Sequence, residues 1–179
     1  MAQIGLKNIY YAEMTIGDDG AETYGTPKKI GNAVSVDITP TIETTSLYGD
    51  DMAVATDINF KEVKVTIETT DIPLADQAAL LGHTYSEQEG LTAKMTDSAP
   101  YVALLFESEK HSGGIRCAKL MKGKFAPSQE TINTKGENLK YQVPSIEGTF
   151  VANTDGIWKK IKDFAKGTDT ASWYTSVQE

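Results

Sequence analysis

Residues 33–45 alternate without a break. Val34, Val36, Ile38, Pro40 and Ile42 stand on one side, and Ser35, Asp37, Thr39, Thr41 and Glu43 on the other. A period of two over that length is a β-strand with one wet face and one buried face. Residues 58–70 alternate again with a change of phase: Ile58 and Phe60 are apolar at even positions, Val63, Val65 and Ile67 at odd ones. A one-residue slip turns every later side chain to the opposite face, so a bulge is expected near Lys61 and Glu62. Residues 46–57 lie between the strands and carry Leu-Tyr-Gly-Asp-Asp at 47–51. That segment is too long for a tight hairpin turn and is expected to be an overhanging loop.

The rest of the chain carries mostly strand signals. Residues 5–16 hold Ile9, Tyr10, Tyr11 and Ile16, a strand composition. Gly17-Asp18-Asp19-Gly20 follows as a polar turn; it lacks the further spaced carboxylates of a calcium loop. Residues 71–82 read as a helix, with Asp71 at the N-cap, Pro73 in the first turn and Gly82 as the stop. Leu74, Ala78 and Leu81 would share its buried face. His83 reads as a loop or capping residue, and Leu91, Ala93 and Met95 as a minor strand. Residues 101–106 are almost wholly apolar, the pattern of a central strand covered on both faces. A turn at His111-Ser112-Gly113-Gly114 leads into a strand over 115–125, where Cys117 reads as a small core residue. Residues 130–134 and 139–151 complete the sheet, with a bulge or edge position at Pro144.

Residues 155–165 fit a second, amphipathic helix. Ile157, Ile161 and Phe164 share one face, and Lys159, Lys160 and Lys162 form a solvated one. Residues 167–179 are polar apart from Trp173 and Tyr174, and read as a mobile end or an interaction arm. The expected fold is mainly β: a β-sandwich or half-barrel with one short helix between strands and a C-terminal helix, in a single domain over residues 1–179.

With 179 residues, 40% of them hydrophobic, the chain can bury a real core, and no stretch approaches a membrane span. The first residues lack the basic and apolar segments of a secretory signal. One cysteine permits no intrachain disulfide, in keeping with a reducing compartment. A net charge of −8 is unsuited to wrapping nucleic acid, although it allows nucleic acid to pass nearby. No phosphate loop, dinucleotide glycine motif, metal-ligand spacing or Gly-x-Ser-x-Gly is present. Paired-carboxylate chemistry is compatible with the acid content alone, but the acids are scattered along alternating strands like solvent-face residues. The chain reads as a non-enzyme with no cofactor and no metal.

Six short stretches occur in a telling order: Gly-Leu-Lys-Asn-Ile-Tyr-Tyr-Ala at 5–12, Ser-Leu-Tyr-Gly-Asp-Asp at 46–51, Ala-Ala-Leu-Leu-Gly at 78–82, Ala-Pro-Tyr-Val-Ala at 99–103, Lys-Gly-Lys-Phe at 122–125 and Thr-Lys-Gly-Glu-Asn at 134–138. As an ordered set they resemble the major tail protein of long-tailed bacteriophages, in the phi13-type family, over essentially the whole chain. Gly49 departs from the alanine usual in that family's loop, which loosens the backbone there.

The resemblance implies a structural role. Hexameric rings stack into a tube, one sheet of each subunit lines the lumen, and DNA passes through without specific binding. By matching position, residues 46–57 would be the inter-ring loop, with Ser46, Leu47, Tyr48, Gly49, Asp50, Asp51 and Met52 in contact. The N-terminal arm (1–16) and C-terminal arm (166–179) would touch neighbours, the latter through Trp173 and Tyr174. Further implied partners are the tape measure, tail terminator and baseplate or distal tail proteins, with no membrane. The implied location is the virion tail, made and assembled in the host bacterial cytoplasm. The C-terminal immunoglobulin-like domain of some relatives is not expected. If the two long strands line the channel, Asp37, Glu43, Lys64 and Glu68 face it. General physics agrees: ring closure removes exposed strand edges, and an acidic wall does not hold phosphates. The alternatives are the tube protein of a phage-derived tailocin and a free β-sandwich module binding carbohydrate or protein. An aromatic content of 8% argues weakly against a sugar-stacking surface.

Overall fold

The structure, a computed structural model, describes residues 2–129 and 143–177. Its elements in order are β1 (Gln3–Ile16), β2 (Glu22–Tyr24), β3 (Lys28–Lys29), β4 (Ala33–Gly49), β5 (Met52–Thr69), α1 (Leu74–Leu81), β6 (Thr84–Ser86), β7 (Gly90–Thr92), β8 (Tyr101–Lys110), β9 (Ile115–Ala126), β10 (Ser145–Val151), β11 (Lys159–Phe164) and a 3₁₀ turn at Ala171–Tyr174. The fold is mainly β, as the alternation requires. The expected strands over 130–134 and 139–142, with the Thr-Lys-Gly-Glu-Asn stretch, lie outside the described residues.

One antiparallel sheet runs in the order β2-β1-β8-β9-β10-β5-β4, and β6-β7 form a small hairpin beside α1. β9 is the hinge of the arrangement. β8 follows one edge from Ile115 to Gly123, while the other edge is shared, with β10 opposite Lys122–Ala126 and β11 opposite Ile115–Leu120. The sheet curls so that β4 approaches β1. Ile9, Tyr11, Val63, Val65, Ile67, Leu104, Leu120 and Phe150 fill the concave side, all at 1% exposure or less. Each such side chain contributes roughly 1.5–3 kcal/mol of burial.

β8 is covered on both faces, as its apolar run predicts. Val102 and Leu104 enter the main core, and Ala103 and Leu105 enter a second cluster with Ala12, Met121 and Val177. Two glycines make the core close-packed where β9 meets β10. Phe150 lies opposite Gly123 and Phe125 opposite Gly148, with the rings edge-on at 5.7 Å. A Cβ on Gly123 would fall 2.4 Å from the Phe150 ring, so only glycine fits.

Several expectations are corrected. Residues 155–165 are not a helix. Gly156 adopts φ +76° in a turn closed by its N–H to Asn153 O, and the chain then enters β11. Ile157, Ile161 and Phe164 suit a helical stripe, but pairing with β9 prevails over local spacing. α1 begins after Pro73 rather than at Asp71 and buries Ala78, Leu80 and Leu81, leaving Leu74 51% exposed. Gly82 is its left-handed stop, as expected. His83 pairs through Nδ1 with Asp97 at 2.9 Å and ties the helix end to the loop after β7. Pro144 is neither a bulge nor an edge. It directly precedes β10, a central strand, and its carbonyl accepts from Thr69 N–H.

Candidate assembly surface

The β4–β5 hairpin is too long for the body that carries it. Its 18-residue strand β5 spans about 60 Å at 3.3 Å per residue. A compact chain of this length measures only about 40 Å across, from a radius of gyration near 16 Å. The proximal half is packed, with Val63, Val65 and Ile67 buried. The packing ends where Phe60 stacks on Trp158 at 5.0 Å. Beyond that pair Ile42, Leu47, Tyr48, Met52, Val54 and Ile58 are all between 57% and 71% exposed.

The expected loop at 46–57 is instead the distal part of the hairpin. β4 and β5 stay paired to Gly49↔Met52 and turn through Asp50 and Asp51 alone, both with positive φ (51° and 61°). That is the backbone of a type I′ turn, whose twist matches the flanking strands. Aspartate tolerates the left-handed region better than most residues.

Register decides which residues share a face, because directly opposed residues in an antiparallel pair project together. Ser35 faces Glu68, Asp37 faces Thr66, Thr39 faces Lys64 and Thr41 faces Glu62. Between Thr41↔Glu62 and Ile42↔Phe60 the register slips past Lys61, so the expected bulge is present. Without it Phe60 would stand opposite Glu43 and turn onto this polar face. With it Glu43 pairs opposite Asn59 and its carboxylate meets the bulged Lys61 at 2.9 Å. Asp37, Glu43, Lys64 and Glu68 therefore lie on one polar face, with Ser35 Oγ donating to Glu68 Oε2 at 2.7 Å. The opposite face carries Val36, Ile38, Val63, Val65 and Ile67 into the core.

Residues 1–172 match the phage tail tube protein family. The chain belongs to that family. No curated protein matches it. Membership in the tail tube family gives the chain a structural role in the virion tail, assembled with itself and with other tail proteins. Among the described residues no group of three or more His, Cys, Asp or Glu side chains is placed to hold a metal. No helix among them is long and apolar enough to cross a membrane.

The C-terminal segment of this tail tube protein packs on its own sheet rather than extending as a mobile end. Trp173 is 8% exposed and Val177 1% exposed. Tyr174 stacks against Tyr10 at 4.6 Å, and Lys119 Nζ sits 4.2 Å from the Trp173 ring while donating to Ser176 O at 2.6 Å. Sequence reading missed Lys119, which is 1% exposed, and Glu107, the buried carboxylate on which this segment converges. It also missed Ile42, Val54 and Ile58 as exposed residues. Their signal was strand length, which exceeds what one core can cover.

Proposed function

We propose that this protein is the major tail protein of a long-tailed phage, a single tail-tube domain that forms hexameric rings stacked into a tube for DNA passage. The observation that carries the reading is the hairpin overhang, exposed on both faces and tipped by Leu47, Tyr48 and Met52. A lone subunit gains nothing from so much exposed apolar surface, whereas a second copy placed over it does. Ser46, Leu47, Tyr48, Gly49, Asp50, Asp51 and Met52 form the inter-ring contact. Donor and receiver surfaces differ, so the contact propagates as a stack. Among the described residues β4 offers one unpaired edge along 17 residues, and ring neighbours cover it.

In this reading the polar face with Asp37, Glu43, Lys64 and Glu68 lines the channel. Trp173 and Tyr174 shape the outer wall against ring neighbours. The tape measure fills the lumen before ejection, and the terminator and distal tail proteins cap the two ends. Assembly takes place in the host cytoplasm. Deleting residues 50–55 tests the reading. The variant is expected to fold and to form no tubes by negative-stain microscopy, while the parent polymerises. Normal tubes from the deletion would remove the hairpin from assembly.

A further inference from the structure

In a chain of net charge −8, β11 borders a basic cleft of about 460 Å³, lined by Lys160, Ile161, Lys162, Phe164, Ser172 and Trp173. β11 bonds to β9 alone, so its far edge is open among the described residues. Lys160 and Lys162 form no ion pair with a described residue, and Lys162 Nζ rests 5.1 Å from the Phe164 ring. Ile161 is 53% exposed. Trp173 walls the cleft edge-on to Phe164, and its buried indole N–H has no acceptor among the described residues. Two cations without an ion pair among the described residues, set beside apolar walls, make a receptor for a carboxylate. The apolar walls select an acid with apolar flanks.

The hairpin tip has that composition. Asp50 and Asp51 are exposed, form no ion pair among the described residues, and are flanked by Leu47, Tyr48 and Met52. We propose that the β11 cleft receives the Asp50-Asp51 turn of a second copy. The carboxylates meet Lys160 and Lys162, which share a face of β11 with Phe164, and the flanking apolar side chains lie on Phe164 and Trp173. This rests on the hairpin being the assembly element and names its receptor. In one chain the tip lies beyond the level of β11, because β5 leaves β10 at Val63 and runs on past the strand that replaces it. A second copy displaced along the strand axis brings tip and cleft together, and the same displacement repeats.

Charge exchange tests the pairing. Lys160→Glu with Lys162→Glu is expected to lower tube yield about tenfold or more, since like charges brought together at a contact cost several kcal/mol. Asp50→Lys with Asp51→Lys is expected to do the same, and mixing the two variants, or combining all four changes, to restore tubes. Monomer melting temperatures control for folding. Independently, Asp51→Cys with Lys162→Cys is expected to give a ladder of linked subunits on oxidation, with each single variant giving none. If the residue 50–55 deletion abolishes tubes while Lys160→Glu/Lys162→Glu assembles at the parental yield, the cleft is not the receptor and the hairpin reading stands. If the deletion also assembles, the hairpin reading fails first. Normal assembly of the lysine variant with altered DNA ejection would assign the cations to phosphate and overturn the proposal. Absence of the linked ladder would do so as well.

Discussion

The Tyr174 hydroxyl donates to Glu107 Oε2 at 3.1 Å, joining residues 67 positions apart and closing the C-terminal segment onto β8. Glu107 is 5% exposed and also accepts from Asn8 Nδ2 at 2.6 Å and Thr170 Oγ1 at 2.9 Å. A carboxylate that deep persists because donors from several elements replace its water. Burial, then Glu107, raises the Tyr174 pKa, so the phenol stays a donor throughout the accessible pH range.

Tyr174→Phe keeps the ring against Tyr10 and removes only this donor. Loss of a hydrogen bond to a buried charged acceptor is expected to cost about 1.5–3 kcal/mol. The midpoint of urea unfolding should fall with no change in slope. An unchanged midpoint would mean that the bond does not hold the segment down.

Cys117 is buried with Sγ 3.9 Å from Glu107 Oε2. Burial first, and the nearby carboxylate second, push its thiol up to about 11. Since the thiolate is the reactive form, native protein at pH 8 is expected to resist a thiol reagent and to react only on unfolding. Fast labelling without denaturant would contradict the burial. Cys117→Ser should fold but lose roughly 1–2 kcal/mol, because a hydroxyl is costlier to bury than a thiol.

Asp163 anchors β11 to its surroundings. Arg116 grips it with Nε and Nη2 at 2.8 and 3.0 Å, and Lys110 pairs with it as well. The Arg116 hydrogen bonds, followed by that from Lys110, hold its carboxyl well below the usual carboxylate range. A folded-state pKa below the unfolded one gives stability that is present above the unfolded value, about 3.9, and lost as pH falls from there toward the folded value. Melting temperature against pH should therefore show the parent and Asp163→Asn converging as pH falls below about 4. The gap at neutral pH should be small, since the group is half exposed. Parallel curves would mean the pair adds nothing to acid stability.

The legible parts of this fold were those where local pattern and tertiary demand coincide. The phase change at Ile58–Ile67 placed the Lys61 bulge correctly because one face of the hairpin packs in the core up to Val63 and fixes the register there. The apolar run of β8 announced its two-sided burial for the same reason. The hairpin tip was not legible, because Asp50-Asp51 is a weaker turn signal than Asn-Gly and nothing local says that pairing continues past Thr45. In β11, Ile157, Ile161 and Phe164 satisfy a helix as well as a strand, and only pairing with β9 separates the two. Glu107 was invisible as a hub, since its donors come from residues 8, 170 and 174. Asp37, Glu43, Lys64 and Glu68 were placed on one face by alternation alone. That this face lines a channel depends on other copies.

The proposed channel wall makes a quantitative claim about charge. Along the packed and bulged part of the hairpin, Asp37, Glu43, Glu62 and Glu68 share the polar face with Lys64, and Lys61 joins it through Glu43. Acids exceed lysines by two, and ring symmetry multiplies the excess. Duplex DNA carries one phosphate charge about every 1.7 Å of axis, so even a weak attraction per site would accumulate along a tube. Repulsion across the lumen is screened within about 10 Å at 0.1 M salt, but it still prevents close contact. Asp37→Lys with Glu43→Lys reverses the sign of this wall and places a new cation beside Lys61. The double variant is expected to assemble tubes and to eject DNA more slowly, most strongly at low salt. Ejection from receptor-triggered virions measures the effect, with tube formation checked by microscopy. Parental ejection rates at every ionic strength would refute the charge argument for these residues. Failure to assemble would place Asp37 and Glu43 at a contact between subunits instead of on the channel wall.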